Sequence, residues 1–111
     1  MKYKQGDIIL LPFPYTDLSN TKQRPAVIIS KDDINKQNYI VAKITSVIRG
    51  DRFSFLIDSS DIDRELKYQS EVRTNEVFTV SPGIIIKKFA SFKKEPLKRL
   101  IANIQDNISV E

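Results

Sequence analysis

The chain of 111 residues contains neither cysteine nor histidine. Without cysteine there are no disulfides, thiolate metal ligands or thiol nucleophiles. Without histidine, a common metal ligand and the usual proton donor or acceptor near neutral pH are also missing. Any catalysis must therefore use Arg, Lys, Ser, Thr, Tyr, Asp or Glu, and we expect neither a metal site nor a cofactor.

A long apolar run is missing as well. No apolar segment approaches the 18 or so residues typical of a transmembrane helix. Residues 1–5 are polar and lack the apolar segment of a secretory signal peptide. We therefore expect a cytoplasmic protein that does not contact a membrane.

The composition is that of a folded domain with a basic excess. Apolar residues make up 41% and charged residues 29%, and the length suits one domain spanning residues 1–111. Eighteen Lys and Arg against fourteen Asp and Glu give a net charge of +4. This excess is compatible with a nucleic acid or another acidic partner.

Short apolar segments separated by turn residues predict a mainly β fold. We expect strands at about 7–11, 25–30, 39–46, 53–57, 71–74, 77–80 and 84–89. Pro12 is expected to end the first strand, and Pro25, which lacks an N–H, to mark a strand start or an edge. Residues 31–38 and 58–67 are loops or short helical turns.

The spacing of the apolar residues changes near the C-terminus. Leu97, Leu100, Ile101 and Ile104 follow helical spacing, and Pro96 suits a first helical turn. Many short strands followed by one amphipathic helix over residues 94–104 predict a small, strongly bent antiparallel sheet or partial barrel with helical cover.

One arginine lies at an unusual place. The first two strands are joined by a polar loop of residues 13–23, longer than common hairpin loops, and Arg24 stands where the second strand begins. Arg24 is either the centre of an anion site or an ordinary strand-end residue that is solvated or forms a salt bridge with Asp17 or Asp7. Residues 15–23 are expected to form a flexible flap, the alternative being a tolerated insertion.

Several motifs together resemble the MazF/PemK-like toxins of bacterial toxin–antitoxin modules. They are Gly6-Asp7-Ile8, Pro12-Phe13-Pro14, Thr16-Asp17, Arg24-Pro25-Ala26-Val27-Ile28, Ile44-Thr45-Ser46 and Val72-Arg73-Thr74. The resemblance covers nearly the whole chain. It implies an SH3-like, CcdB-like barrel with a C-terminal helix, usually a homodimer. It also implies a ribosome-independent, sequence-selective endoribonuclease that cuts single-stranded RNA and is neutralised by a cognate antitoxin.

The resemblance assigns Arg24 and Thr45 as the catalytic pair, with a 2′,3′-cyclic phosphate and a 5′-hydroxyl as products. RNA supplies its own nucleophile, the 2′-hydroxyl, so no metal is required. Arg24 offers a planar set of donors to phosphate oxygens, and Thr45 offers a hydroxyl. Ser46 is the adjacent substitute, but strand alternation predicts that only one of these two hydroxyls faces the site. On β propensity alone, Thr45 is simply a good strand residue.

Further basic, hydroxyl and aromatic side chains are candidates for substrate binding. The candidates for contacts to RNA are Tyr15, Thr16, Lys22, Ser46, Arg49 and Arg73. Arg52 and Lys43 could join them along the phosphate backbone, and Phe13 and Tyr68 could stack on unpaired bases. The alternative is that the basic residues are solvated and the aromatic residues belong to the core.

Two other function classes remain open at the level of sequence. A non-catalytic toxin like the CcdB-like gyrase poisons would keep the fold but would not need Arg24 and Thr45 as a pair. A plain RNA-binding barrel module would depend on the total charge rather than on that pair.

Overall fold

The computed structural model describes residues 3–13 and 22–111. Its strands and helix are β1 (Asp7–Phe13), β2 (Lys22–Ile28), β3 (Tyr39–Thr45), β4 (Ser54–Leu56), β5 (Glu71–Val80), β6 (Lys87–Ser91) and α1 (Lys94–Asp106). They form one six-stranded sheet in the order β4-β5-β3-β2-β1-β6, with every neighbouring pair antiparallel. The predicted mainly β fold with a C-terminal helix is confirmed.

The sheet is buried on both faces, which explains the continuous apolar sequence of its central strands. Ile8 and Val27 belong to a cluster that includes Leu100 of α1. The next residue along each strand, Ile9 after Ile8 and Ile28 after Val27, belongs to a second cluster on the opposite face. The helix therefore covers one face of the sheet, and a separate core fills the other.

Helix α1 confirms the predicted apolar stripe and runs two residues beyond the expected end. Leu100 and Ile104 are buried, and Leu97 and Ile101 are half-buried beside them. Pro96 lies in the first turn, where a missing N–H costs no helical hydrogen bond. No helix in residues 3–13 or 22–111 has the length and apolar character needed to cross a membrane.

Both proline predictions in the first hairpin are wrong. Strand β1 continues past Pro12, which pairs with Gln23. Strand β2 lies inside the sheet between β1 and β3, so Pro25 marks neither a strand start nor an edge. The ladder from β2 to β3 begins one residue after Pro25, at Ala26. No β3 residue in that ladder therefore depends on an N–H from Pro25.

The later strands also differ from the prediction. The two expected segments at 71–74 and 77–80 are one ten-residue strand, β5, whose register against β3 shifts between Ala42 and Ile44. The expected strand at 84–89 begins only at Lys87, because Pro82–Ile84 forms a 3-10 turn. Residues 31–38 and 58–67 are turns and loops, with no α-helix in either.

Candidate functional site

Arg24 and Thr45 line the same pocket, a cavity of about 310 Å³ at the ends of β2 and β3. The strand register explains their proximity. The β2–β3 ladder ends with Ala26 paired to Lys43, and Arg24 and Thr45 each lie two residues beyond this pair, at the same end of the ladder. The residues that line the pocket are Leu10, Gln23, Arg24, Pro25, Ile44, Thr45, Ser46, Leu66, Lys67, Tyr68, Ser70 and Phe89.

The hydroxyl of Thr45 is fixed by the chain that follows it. The backbone N–H of Val47 donates a hydrogen bond to Thr45 Oγ1 at 3.1 Å. This bond occupies an acceptor position and leaves the hydroxyl proton for another partner. Thr45 is half-buried, so its hydroxyl is held at the pocket wall as a candidate donor to a bound oxygen.

The prediction that only one of the Thr45 and Ser46 hydroxyls faces the site stays a prediction. Strand β3 ends at Thr45, so the strict alternation of side chains does not extend to Ser46. Both residues line the pocket, and Ser46 is exposed.

The chemistry of the pocket suits an anionic ligand with an apolar part. Its apolar lining comes from separate parts of the chain: Leu10, Pro25, Ile44, Leu66 and Phe89. Two cations, Arg24 and Lys67, lie at the same cavity. An apolar surface with a few polar groups is the usual composition of a ligand site.

Three other cavities lack this combination. The largest, about 610 Å³ between α1 and the sheet, has no charged side chain in its lining. A second, beside the loop that follows β4, contains Asp58 and Glu65, which would repel a phosphate. A third, along α1, has Lys94 and Lys98 but neither an arginine nor a hydroxyl side chain.

Arg73 does not line the pocket, and the structure places it instead in a buried ion network. Its guanidinium donates to Glu71 Oε2 at 2.7 Å, to Asp51 Oδ1 at 2.9 Å and to Glu76 Oε2 at 3.4 Å. Arg73 is only 3% exposed. The predicted contact between Arg73 and RNA is therefore not supported, because its donors already bind carboxylates.

Glu71 is fully buried and connects this network to the loop that follows β3. Its carboxylate accepts hydrogen bonds from Arg73, from Ser54 Oγ at 2.8 Å and from the backbone N–H groups of Arg49 and Gly50 at 3.2 and 3.5 Å. Burial raises the pKa of Glu71, but these hydrogen bonds outweigh burial and hold the pKa below its usual value. Glu71 also pairs directly with Thr45 across the sheet.

The same network acts on the pKa of its exposed member. The hydrogen bond from Arg73 lowers the pKa of Asp51 from 3.8 to about 2. The pKa of Arg73 is raised in turn, chiefly by its hydrogen bond to Asp51. These shifts keep Asp51 and Arg73 charged at neutral pH, so their ion pair ties the loop after β3 to β5.

The other predicted contact residues fall into two groups. Arg49 is exposed on the loop after β3 and does not line the pocket; its backbone N–H is the part that is bound. Tyr15 and Thr16 lie outside the described residues, and so do the side chains of Phe13 and Lys22. The roles of these residues stay predictions.

The family model for the PemK-like, MazF-like toxins of type II toxin–antitoxin systems matches residues 4–108. The chain belongs to this toxin family. No curated protein sequence matches the chain significantly.

Solved structures with low sequence identity to this toxin share its fold. An endoribonuclease in complex with its cognate antitoxin, from a mycobacterial species, is 10% identical, with a TM-score of 0.76 over 98% of this chain and 99% of that chain. MazE-MazF from Deinococcus radiodurans is 14% identical, with a TM-score of 0.78 over 98% of each chain. The Mycobacterium tuberculosis toxin MazF-mt6 is 18% identical, with a TM-score of 0.69 over 91% and 93%.

Two of the motifs that carry the family resemblance have structural roles in this toxin. Gly6 adopts a φ of +93°, and a Cβ built there would lie 3.0 Å from Leu97 Cδ2 of α1. Asp7 is buried and accepts a hydrogen bond from Ser91 Oγ at 2.7 Å. Thr74 donates its hydroxyl to the backbone carbonyl of Phe53 at 3.1 Å. These residues join strands and helix, and none of them lines the pocket.

Sequence reasoning missed Glu71 and Lys67 of the toxin. Glu71 carried one usable signal, since it is an acidic residue at the start of a β segment, where buried apolar residues are expected. Lys67 lies in a charged loop whose course no local pattern predicts. Among residues 3–13 and 22–111, no group of three or more Asp, Glu, His or Cys side chains is placed to hold a metal ion.

Proposed function

We propose that this toxin is a metal-independent endoribonuclease that cuts single-stranded RNA sequence-selectively and without the ribosome. The observation that carries the proposal is the shared pocket of Arg24 and Thr45. Membership of the MazF-like family supports it, as does the structural similarity to a protein described as an endoribonuclease.

In the proposed reaction the ribose 2′-hydroxyl loses its proton, and its oxygen attacks the adjacent phosphorus. The bond from phosphorus to the 5′-oxygen of the next nucleotide breaks, and that oxygen takes up a proton. The products are a 2′,3′-cyclic phosphate and a 5′-hydroxyl end. Arg24 binds the non-bridging oxygens and stabilises the charge that grows on them as the pentavalent phosphorane forms. Thr45 donates its hydroxyl proton in a hydrogen bond to a phosphoryl oxygen, while the N–H of Val47 fixes the position of Oγ1.

We also propose that the toxin works as a cytoplasmic homodimer and binds a cognate antitoxin protein. Similar structures contain such antitoxins, in mycobacterial and Deinococcus radiodurans complexes. The net charge of +4 favours an acidic partner segment over a basic one.

The test is cleavage of a long single-stranded RNA by the purified protein in the presence of a chelator. We expect discrete fragments with cyclic-phosphate and 5′-hydroxyl ends. Arg24→Ala and Thr45→Val should each slow cleavage about 10²- to 10³-fold, the usual cost of one lost stabilising donor. Thr45→Ser should retain most of the activity because it keeps the hydroxyl.

Matched controls separate chemistry from general effects of charge and stability. Arg99→Ala removes an exposed arginine of α1, and Thr79→Val removes an exposed threonine of β5; neither lines the pocket. Both controls should cut at the parental rate. Unchanged cleavage by Arg24→Ala would refute the assigned role. Intact RNA retained by the parent would indicate a binding module, and inhibited gyrase without RNA cleavage would indicate a gyrase poison.

A further inference from the structure

The pocket that holds Arg24 and Thr45 also contains an exposed aromatic ring. Tyr68 is 63% exposed, a large fraction for an aromatic side chain. Its backbone carbonyl accepts a hydrogen bond from Ser70 Oγ at 3.1 Å, and Ser70 itself is buried. The backbone of Tyr68 is therefore anchored while its ring stays accessible to a ligand.

The surroundings of the ring match the parts of a nucleotide. Leu66 and Phe89 line the same cavity with apolar surface, and Arg24 supplies a cation for a phosphate. Lys67 Nζ lies 5.4 Å from the centroid of the Tyr68 ring, within the range of a cation–π contact. Unpaired bases are bound in this way by other proteins, with the base face on an aromatic ring and the phosphate on a cation.

We propose that Tyr68 is a stacking platform for one unpaired base next to the phosphodiester that Arg24 binds, with the base on the ring face opposite Lys67. This inference rests on the proposed function, since it concerns the substrate of the same site. Stacking is available to every base, so Tyr68 should set the strength of RNA binding rather than the choice of sequence. Tyr68 is then a substrate-binding residue distinct from the catalytic pair.

Steady-state cleavage by three variants tests the proposal. Tyr68→Phe keeps the aromatic face, Tyr68→Leu keeps apolar area without the ring, and Tyr68→Ala removes both. The substrate is a short oligoribonucleotide spanning one cut mapped on a long RNA. For Tyr68→Leu and Tyr68→Ala we expect KM to rise roughly 5- to 150-fold, the usual effect of losing one stacked base, with kcat and the cut position unchanged. Tyr68→Phe should match the parent.

Fluorescence gives a second readout that a structural role would not produce. The chain contains four tyrosines and no tryptophan, so its emission comes from tyrosine. Binding of the same oligonucleotide carrying 2′-O-methyl riboses, which cannot react, should quench part of this emission. The quenching should be clearly smaller in Tyr68→Phe although that variant still binds. Ile84→Ala, which removes an exposed side chain outside the pocket, should behave as the parent.

The outcomes separate this inference from the proposed function. If Tyr68→Ala or Tyr68→Leu has the same KM as the parent, the stacking role is overturned, and the proposed nuclease function is unaffected. A change of oligomeric state in sedimentation that accompanies the rise in KM would make Tyr68 an interface residue and overturn it as well. If the parent binds RNA without cutting it and Tyr68→Ala binds more weakly, the subsite stands and the nuclease fails. Absence of RNA binding by the parent would overturn both.

Discussion

Replacement of Arg73 by methionine should destabilise the toxin strongly, and a second substitution should restore much of the loss. Arg73→Met leaves the carboxylate of Glu71 fully buried without its cation. Breaking a buried ion pair on one side typically costs about 3–5 kcal/mol. Asp51 and Glu76 contribute little to this cost, because their side chains are 44% and 39% exposed and return to water.

The double variant Glu71→Gln with Arg73→Met tests that reasoning. The amide is neutral, and its oxygen can still accept the hydrogen bonds from Ser54 and from the backbone of Arg49 that the carboxylate receives. Replacing both members of a buried pair is often nearly neutral. We therefore expect the double variant to be more stable than Arg73→Met alone. If the two substitutions acted independently, their losses of stability would add and the double variant would be the less stable one.

Urea unfolding followed by circular dichroism measures both effects. With a slope of about 2 kcal/mol/M, the loss of 3–5 kcal/mol moves the midpoint of Arg73→Met down by roughly 2 M. The double variant should recover at least half of that shift. A double variant as unstable as Arg73→Met, or less stable, would refute the view that an uncompensated carboxylate causes the loss.

Two further variants test other parts of the structure. Gly6→Ala should destabilise the toxin by about 1–3 kcal/mol in the same urea assay, because it forces a positive φ on alanine and crowds Leu97; an unchanged midpoint would contradict the close approach. Asp51→Asn tests the pH dependence: the folded-state pKa of about 2 lies below the ordinary 3.8, so Asp51 stabilises the fold above pH 3.8 and loses this effect as the pH falls towards 2. The difference in Tm between parent and Asp51→Asn should therefore be complete at pH 6 and largely lost by pH 2. A difference that grows on acidification would contradict the ion pair with Arg73.

Patterns that act within one element could be read from the sequence. The stripe that includes Leu100 predicted α1 because helical periodicity is local, and the apolar runs around Ile8 and Val27 predicted buried strands. The error at Pro25 had a different origin. Proline can lie in an inner strand where the neighbouring strand needs no N–H from it. For Pro25 this depends on where the ladder between β2 and β3 begins, which is set by the pairing of the strands in the folded chain.

The candidate site shows the same limit. Arg24 and Thr45 were predicted from motifs, and the antiparallel pairing of β2 with β3 explains why residues so far apart in sequence line one pocket. Arg73 looked equally suited to RNA, since an arginine carries no sign of its future partners. Only the folded chain shows that Glu71 and Asp51 occupy its donors.

The pocket divides between two kinds of structure, and this has a consequence for how such toxins diversify. Arg24 lies within β2 and Thr45 is the last residue of β3, whereas Leu66 to Ser70 come from the irregular segment between β4 and β5. Exchanging that segment for one of another length or composition would leave the cation and the hydroxyl where they are. Under the proposals above, exchange of this one surface segment would change how tightly RNA is bound and would leave the proposed catalytic pair in place.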